Sequence, residues 1–312
     1  MDRSGASMLS PMGDAQRPVV AGVELGGTKA LAVLARDATI LDRVRIPTTD
    51  PASTLDALSD QLAAWQGRPE AFAAIGIGGF GPLGLDPHRP DFGFVTTTPK
   101  AGWADVDVRG HFAQRFDVPV GFDTDVAGAA LAEGRWGAAR GCSVHTYITI
   151  GTGIGAGVVV DGRPVHGLVH PEIGHVRVRP ANADVAGTCP YHGNCIEGLT
   201  SGPAIAARAG SPAEQLGPDH PVWVEVADEI AELMAVLVVV LSPQRIVLGG
   251  GVGTGLGFPL ERIRATTSAL LAGYVAALDD NSIVQLIQPP GLGHDAGPLG
   301  ATALALSALD LL

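Results

Sequence analysis

The sequence predicts an α/β protein with two related lobes, and three observations carry this prediction. A Gly/Thr-rich turn separates two strand-like runs in VVAGVELGGTKALAVLA, which starts at Val19, and again in VHTYITIGTGIGAGVVVDG, which starts at Val144. Each unit is followed by a segment with helical periodicity, TLDALSDQLAAWQ in the first half and VWVEVADEIAELMAVLVVVL in the second. With 312 residues, 46% of them hydrophobic, the chain is long enough for two domains with a sizeable core.

Other strands of the chain run into glycine-rich or polar loops. FAAIGIGGFGPLGLDP predicts a strand and a Gly/Pro-rich loop, and RIVLGGGVG, from Arg245, predicts a strand that ends in glycines. VPVGFDTDVAGAALAEGRWG predicts a strand, a polar turn and a helix of small residues. Because ligands of open α/β sheets bind at the carboxyl ends of strands, Asp123, Thr124 and Asp125 lie where a reacting group would be held. The final GPLGATALALSALDLL predicts a helix that packs by its Ala/Leu face.

Composition and charge argue against several classes of protein. The formal net charge of −12 disfavours binding to nucleic acid or to an anionic membrane, because phosphate groups require clustered Lys and Arg. The most apolar run, LMAVLVVVL, is too short to span a bilayer and predicts a buried helix. Residues 1–18 lack the basic and apolar regions of a signal peptide, so we expect a disordered tail on a cytoplasmic protein that binds small molecules.

The stretch HPEIGHVRVRPANADVAGTCPYHGNC, residues 170–195, holds three His and two of the three Cys of the chain. An odd number of cysteines without a secretion signal favours a metal or free thiols over disulfides. The spacing Cys189-x2-His192-x2-Cys195, completed by His175 upstream, matches a tetrahedral Cys2His2 zinc site. Such a site would be structural, because protein ligands fill all four positions. The alternative is a surface loop with incidental His and buried Cys.

Three glycine-rich segments are candidates for phosphate binding. They lack the spacing of a Walker A loop, but glycine lets backbone N–H groups approach an anion closely, and Thr adds a hydroxyl donor. Each turn alone favours an ordinary hairpin, and the three together raise the weight of the functional interpretation. The candidate residues are Gly26, Gly27, Thr28, Lys29, Gly151, Thr152, Gly153, Gly249, Gly250 and Gly251.

Three carboxylates are candidates for chemistry. Asp125 stands between a predicted strand and a predicted helix, where it either caps the helix or accepts a hydroxyl proton during phosphoryl transfer. Glu172 and Glu197 flank the His/Cys stretch, and they are either ordinary surface glutamates or acceptors for several sugar hydroxyls.

Together these motifs resemble the ROK family of sugar kinases, from about Val19 to the C-terminus. GVELGGTK and TIGTGIGAGVVVDGR look like the two phosphate loops, TDVAGAALAE like the catalytic block, HPEIGH plus CPYHGNCIEG like the family signature, and IVLGGGVG like the adenosine segment. The resemblance implies a two-lobed actin-like ATPase (ribonuclease H-like) fold with the active site in the interdomain cleft. The implied lobes are 19–122, on which helix 298–312 packs back, and 123–297, which contains a zinc loop at 170–197.

The resemblance also implies a role for each matching residue. Asp125 falls at the position of the catalytic base, which would deprotonate the sugar hydroxyl that attacks the γ-phosphate of ATP. Glu24 would help to hold Mg²⁺ through water, and Thr28 and Thr152 would bind phosphate oxygens. The implied sugar-binding residues are Gly79, Thr124, Asp125, Glu172, His175 and Glu197, and the implied zinc ligands are His175, Cys189, His192 and Cys195.

Several residues separate the branches of this family. Glu24, Thr124 and His192 depart from the common glucokinase pattern. By contrast, FGPLGLDP, FGFVTTTPKAGW and CPYHGNCIEGLTSGPAI look like the ROK-type fructokinase branch, in which Glu in the first loop and His in the zinc loop are usual. Ala127 stands where an Asn is frequent in both branches. We therefore expect an ATP- and Mg²⁺-dependent fructokinase with structural Zn²⁺ that forms a homodimer.

Three alternatives to a fructokinase stay open at this point. A glucokinase or mannokinase of the same family differs only in how it places one sugar hydroxyl. A non-catalytic sugar-sensing regulator would keep the fold, although such regulators usually carry a helix-turn-helix before it and only a short polar tail precedes Val19. A zinc hydrolase would need a ligand set with an open position.

Overall fold

The computed structural model describes residues 17–310, so the predicted tail at 1–18 lies outside the described residues except for its last two positions. Two five-stranded sheets form the frame of the protein. The first sheet, in the order β3-β2-β1-β4-β7, contains β1 (Val19–Leu25), β2 (Lys29–Arg36), β3 (Thr39–Pro47), β4 (Ile75–Gly79) and β7 (Val120–Thr124). The second, in the order β10-β9-β8-β11-β12, contains β8 (Val144–Ile150), β9 (Ile154–Val160), β10 (Arg163–Pro164), β11 (Arg245–Gly249) and β12 (Ile287–Gln288). Strands β5 (Phe94–Val95) and β6 (Val106–Asp107) form a separate ribbon.

The two sheets share one internal plan, which confirms the duplicated strand-turn-strand unit that the sequence predicts. In each sheet three consecutive antiparallel strands are followed by two strands that add in parallel. The glycine turns at 26–28 and 151–153 join β1 to β2 and β8 to β9. Both turns therefore stand at the carboxyl end of a central strand, where parallel neighbours also end.

Ten helices in the described residues surround the sheets. They are α1 (Pro51–Gln66), α2 (Val108–Ala113), α3 (Asp125–Trp136), α4 (Ile196–Thr200), α5 (Gly202–Ala209), α6 (Val222–Leu241), α7 (Gly250–Gly253), α8 (Leu260–Leu271), α9 (Asp280–Leu286) and α10 (Ala296–Ser307). Asp50 caps the start of helix α1, because its carboxylate accepts the backbone N–H of Ser53 at 2.9 Å. Helix α6 spans the predicted helical run, and among residues 17–310 no helix has both the length and the apolar character needed to cross a membrane.

Helices α3 and α10 pack closely in the centre of the molecule, and glycines make this contact possible. A Cβ atom on Gly300 of α10 would lie 2.5 Å from the backbone nitrogen of Ala129 in α3. On the sheet side, a Cβ atom on Gly76 of β4 would lie 2.0 Å from the carbonyl oxygen of Ala301. Helix α10 therefore packs against β1 and β4 and also contacts α3. The predicted lobe boundary at 122/123 falls inside β7, because its last two residues remain paired with β4.

A completely buried carboxylate on α3 holds the loop that leads into α10. Glu133 accepts the backbone N–H groups of Ala138 at 2.6 Å, Gly291 at 3.0 Å and Leu292 at 3.0 Å. Since Glu133→Ala would remove three hydrogen bonds to partly buried donors and empty a completely buried site, we expect it to lower the free energy of unfolding by about 3 kcal/mol. Urea denaturation followed by circular dichroism measures this loss.

The control is Glu214→Ala, which removes a carboxylate from an exposed site and should change the free energy of unfolding by less than about 0.5 kcal/mol. Equal stability of the two variants would show that the Glu133 carboxylate does not hold the loop.

Candidate active site

The candidate catalytic residue Asp125 is the first residue of α3, at the carboxyl ends of three adjacent strands. Gly79, at the end of β4, is paired with Leu25 of β1 on one side and with Thr124 of β7 on the other. No polar turn intervenes between β7 and α3, contrary to the expectation from the sequence. The reason is that Thr124 ends the strand and caps the helix at once, its Oγ1 accepting the backbone N–H of Ala127 at 3.1 Å.

The capping role considered for Asp125 therefore belongs to Thr124. Asp125 accepts the adjacent backbone N–H of Val126 with Oδ1, at 2.9 Å, a contact within the first turn. Burial raises the pKa of Asp125 to about 6. Asp125 is therefore a half-buried carboxylate of increased basicity at the carboxyl ends of the strands.

Glu24 of β1 interacts electrostatically with Asp125. Its pKa is raised to about 7, first by burial and then by the negative charge of Asp125, while Lys29 and Arg43 act in the opposite direction. A Cβ atom on Gly297, at the start of α10, would lie 2.4 Å from Oε1 of Glu24, so the helix approaches this carboxylate closely. Two carboxylates that repel one another in a partly buried site are a favourable environment for a divalent cation.

Glu172 and Glu197 bring further negative charge to the same region from the second half of the chain. The pKa of Glu172 is raised by burial and then by the charges of Glu197 and Asp125. Glu197, in the first turn of α4, accepts the backbone N–H of Ile154 with Oε2 at 2.9 Å, and thereby contacts the end of the second glycine turn. The structure thus brings the predicted sugar-binding carboxylates together with Asp125.

The four predicted zinc ligands converge in one cluster. Their ligand atoms all lie within 4.8 Å of one another, although they come from a short 3-10 turn at Ile173–His175, from a tight turn and from the start of α4. Nδ1 of His175 lies 3.8 Å from Sγ of Cys189 and 3.6 Å from Sγ of Cys195, and Nδ1 of His192 lies 3.8 Å from Sγ of Cys189. Tetrahedral zinc with ordinary Zn–S and Zn–N bonds requires S···N separations of about 3.6 Å. The donor set and its spacing fit Zn²⁺.

The second glycine turn and the third glycine run lie side by side at the carboxyl ends of β8 and β11. A Cβ atom on Gly151 would come within 4.0 Å of the backbone nitrogen of Gly251. Gly250 has a φ of +83°, and a Cβ atom there would lie 2.4 Å from the carbonyl oxygen of Ile150, so only glycine fits. The first turn belongs to the other sheet, with Thr28 and Lys29 exposed at its tip.

Sequence reasoning missed Lys100, which contacts the first glycine turn. Its Nζ donates to the carbonyl oxygen of Gly27 at 2.5 Å. The segment that carries it is fixed by Trp103, whose buried indole donates to the carbonyl oxygen of Thr49 at 2.9 Å. The sequence does contain one sign of this role. Lys100 is the single charged residue in TTTPKAGW, a stretch without helical or strand periodicity, so its charge is free to serve a binding site.

His166 and His170 were also missed as members of the site, whereas Asp123 was expected at the carboxyl end of its strand. Nε2 of His166 lies 3.0 Å from Oδ2 of Asp123, which is buried at the end of β7. His170 is buried between the loop that follows β4 and Glu172. The two histidines precede the zinc ligands in the chain, and the sequence offered no sign that their partners are 43 and 87 residues away.

Comparisons with known proteins agree with this arrangement. Residues 20–308 match the profile of the ROK family. The chain is 44% identical to a fructokinase from Zymomonas mobilis, over 92% of this chain and 96% of the relative, and 40% identical to a fructokinase from Pediococcus pentosaceus, over 93% and 99%. The crystal structure of a ROK family glucokinase from Streptomyces griseus in complex with glucose and AMPPNP matches with a TM-score of 0.72 at 25% identity, covering 93% of this chain and 99% of that chain. The expected two-lobed actin-like ATPase architecture is confirmed. The chain belongs to the ROK family.

Proposed function

We propose that this chain is an ATP-dependent fructokinase that converts D-fructose to D-fructose 6-phosphate. The observation that carries the proposal is the group of carboxylates around Asp125 at the carboxyl ends of the strands, where Thr124 makes the capping bond in place of Asp125. The comparisons support fructose as the sugar, since identity is 44% and 40% to the two fructokinases and 25% to the glucokinase.

In this proposal Asp125 is the general base of phosphoryl transfer. The 6-hydroxyl oxygen of fructose forms a bond to the γ-phosphorus of ATP, its proton passes to Asp125, and the bond from the γ-phosphorus to the bridging oxygen breaks to release ADP. A pKa of about 6 leaves the carboxylate ionised at neutral pH and makes it more basic than an exposed aspartate. Glu172 and Glu197 accept hydrogen bonds from the other sugar hydroxyls, because ionised acceptors form the stronger bonds.

The glycine turns are the proposed phosphate site. Their backbone N–H groups and the hydroxyls of Thr28 and Thr152 donate to phosphate oxygens, and the ammonium of Lys100 stands beside the first turn. Mg²⁺, when bound, supplies positive charge to the phosphates, and Glu24 would hold it through water. The mutual repulsion of Glu24 and Asp125 supports a cation at this place, because a divalent charge would relieve it.

Zn²⁺ is the proposed occupant of the Cys/His cluster, in a structural role. It would cross-link the 3-10 turn of His175 to the start of α4, and so would hold Glu172 and Glu197 in position. His175 directs Nδ1 to the cluster, which leaves Nε2 as its only group for a sugar hydroxyl. Four protein ligands leave no open coordination position, and this speaks against a zinc hydrolase.

The alternative functions, the closure of the lobes and the oligomeric state are predictions. A glucokinase or mannokinase is the alternative enzyme, and a non-catalytic sugar sensor is the alternative of another class. The lobes at 19–122 and 123–297 would close over ATP and sugar and exclude water from the γ-phosphate. The homodimer is likewise a prediction from the family resemblance.

The test is a coupled assay of ATP consumption with Mg²⁺ and zinc-replete protein against fructose, glucose, mannose and no sugar. We expect kcat/KM for fructose to exceed that for the other two sugars by about tenfold or more, since several hydrogen-bonded hydroxyls distinguish them. A preference for glucose or mannose would keep the kinase and reject fructose as the substrate. Sugar binding without turnover would favour the sensor.

A further inference from the structure

His170 is buried between the loop that follows Gly79 and the carboxylate of Glu172, and the sequence predicts a sugar contact for both of these residues. Its ring is 6% exposed. Nε2 accepts the backbone N–H of Leu83, in the loop that follows β4, at 3.1 Å. A Cβ atom on Gly81 would lie 3.0 Å from both Nε2 and Cε1, so the ring packs directly on the backbone of that loop. His170 therefore joins the loop after Gly79 to the segment that carries Glu172.

The hydrogen bond to Leu83 determines the tautomer of the ring. A backbone N–H can only donate, so Nε2 must be the unprotonated nitrogen, and the proton of the neutral ring is on Nδ1. Nδ1 lies 3.4 Å from Oε1 of Glu172, a contact slightly longer than a normal N–H···O bond. Burial lowers the pKa of His170, in agreement with a neutral ring. The imidazole thus accepts from the loop after β4 and presents its Nδ1 side to Glu172.

The segment containing His170 is also tied to the end of β7. His166 pairs with Asp123, two residues before Asp125, and the bond to Asp123 raises the pKa of His166. The charged and titratable groups around His170 are accordingly Asp123, His166 and Glu172. With one attachment at Asp123 of β7 and another at Leu83 after β4, the segment that carries His170 is fixed to the end of the first sheet.

We propose that His170 is a positioning residue that orients the Glu172 carboxylate for sugar hydroxyls and thereby sets the affinity for the sugar. Glu172 needs such a partner, because Glu197 and Asp125 both repel it. A neutral N–H donor fixes Oε1 without cancelling the charge, so Oε2 stays available as an ionised acceptor. The inference rests on the proposed function, in which Glu172 contacts the sugar.

Two substitutions of His170 test its contacts with Leu83 and Glu172 separately. His170→Asn places an amide N–H near the position of Nδ1 and can still donate to Glu172, whereas His170→Gln places an amide oxygen near Nε2 and can still accept from Leu83. We expect His170→Gln to raise KM for fructose by about tenfold while kcat and KM for ATP change by less than about threefold. His170→Asn should keep KM for fructose within about threefold of the wild type.

The matched control is His111→Gln. His111 is a half-buried histidine on α2 whose Nε2 bonds Ser59 of α1 at 3.0 Å. Its other ring contacts are with Arg115 and Asp56, and none of these partners is a predicted site residue. This variant should leave both KM values unchanged. If it raises KM for fructose as much as His170→Gln does, the effect reflects general loss of a buried histidine and the positioning role is rejected.

Glu172→Gln and the double variant His170→Gln/Glu172→Gln complete the test. If His170 acts through Glu172, the double variant has the KM for fructose of Glu172→Gln alone, because the two effects are not additive. Additive increases, or an increase for Glu172→Gln without one for His170→Gln, reject the positioning role and leave the proposed kinase intact. An unchanged KM for fructose in Glu172→Gln, with activity retained, rejects both the sugar contact of Glu172 and the inference that depends on it.

Discussion

Asp125→Asn abolishes almost all phosphorylation of fructose, with an expected fall in kcat of about 10³-fold and little change in the Kd for fructose. The amide cannot accept the hydroxyl proton, and general-base catalysis typically contributes 10²- to 10⁴-fold. The shape and the backbone contact to Val126 are kept, so binding should persist. Single-turnover kinetics and calorimetric titration with fructose measure the two quantities separately.

The same substitution should stabilise the fold at neutral pH. The pKa of Asp125 is about 6 in the folded protein, above the value of about 3.9 expected for an unfolded chain. Ionisation is therefore harder in the folded state, and stability falls as the pH rises through this window and stays reduced above it. We expect Asp125→Asn to gain roughly 1–2 kcal/mol at pH 7.5 and almost nothing at pH 4, as thermal unfolding at both values would show. An inactive variant that is also less stable at pH 7.5 would indicate disrupted folding rather than a lost base.

Wild-type activity should follow the ionisation of this carboxylate. Below about pH 6, kcat/KM for fructose should decrease about tenfold per pH unit, because only the ionised carboxylate accepts the proton. Glu24 titrates near pH 7 and interacts with Asp125, so the observed midpoint belongs to the pair. A profile that stays flat down to pH 5 would contradict a base with a raised pKa at Asp125.

Loss of the metal is the second large effect that we expect. Cys195 is completely buried and directly precedes α4, which carries Glu197 in its first turn. Without zinc, the 3-10 turn of His175 and the start of α4 lose their common anchor, and both flanking glutamates lose their positions. Cys195→Ala should therefore reduce the zinc content from about one per chain to nearly zero and lower kcat/KM for fructose by about 10²-fold or more.

The third cysteine of the chain provides the control. Cys142 is half-buried and lies outside the cluster, so Cys142→Ala should retain zinc and activity. Metal analysis by mass spectrometry and the coupled assay are performed on all three proteins. Full zinc content and full activity in Cys195→Ala would refute the structural metal.

Much of the fold can be predicted because its signals are local. The duplicated hairpins come from β-branched runs around glycine turns, and α6 follows the helical periodicity at Val222–Leu241. The zinc cluster is equally local, since two Cys and one His stand within seven residues. The turn predicted before α3 was wrong, because Thr and Asp are both good caps and the sequence does not show which of Thr124 and Asp125 makes the bond.

The missed residues depend on contacts between distant segments. His170 accepts from Leu83, and Lys100 donates to Gly27, in each case across more than one secondary-structure element. Hydrophobic periodicity reports which face of an element is buried, and it carries no information on which loops meet. Such contacts are found only once the packing of the two sheets is known.

Helix α10 packs on one face of the first sheet, although it is synthesised long after the strands of that sheet. Backbone atoms of Ala301 and Ala305 in α10 contact Gly76 of β4, and Leu304 contacts Gly121 of β7. The ribosome must therefore synthesise α10 before the earlier strands of the first sheet can cover their apolar face. Chains that terminate before α10 would keep this face exposed and be recognised by chaperones and proteases.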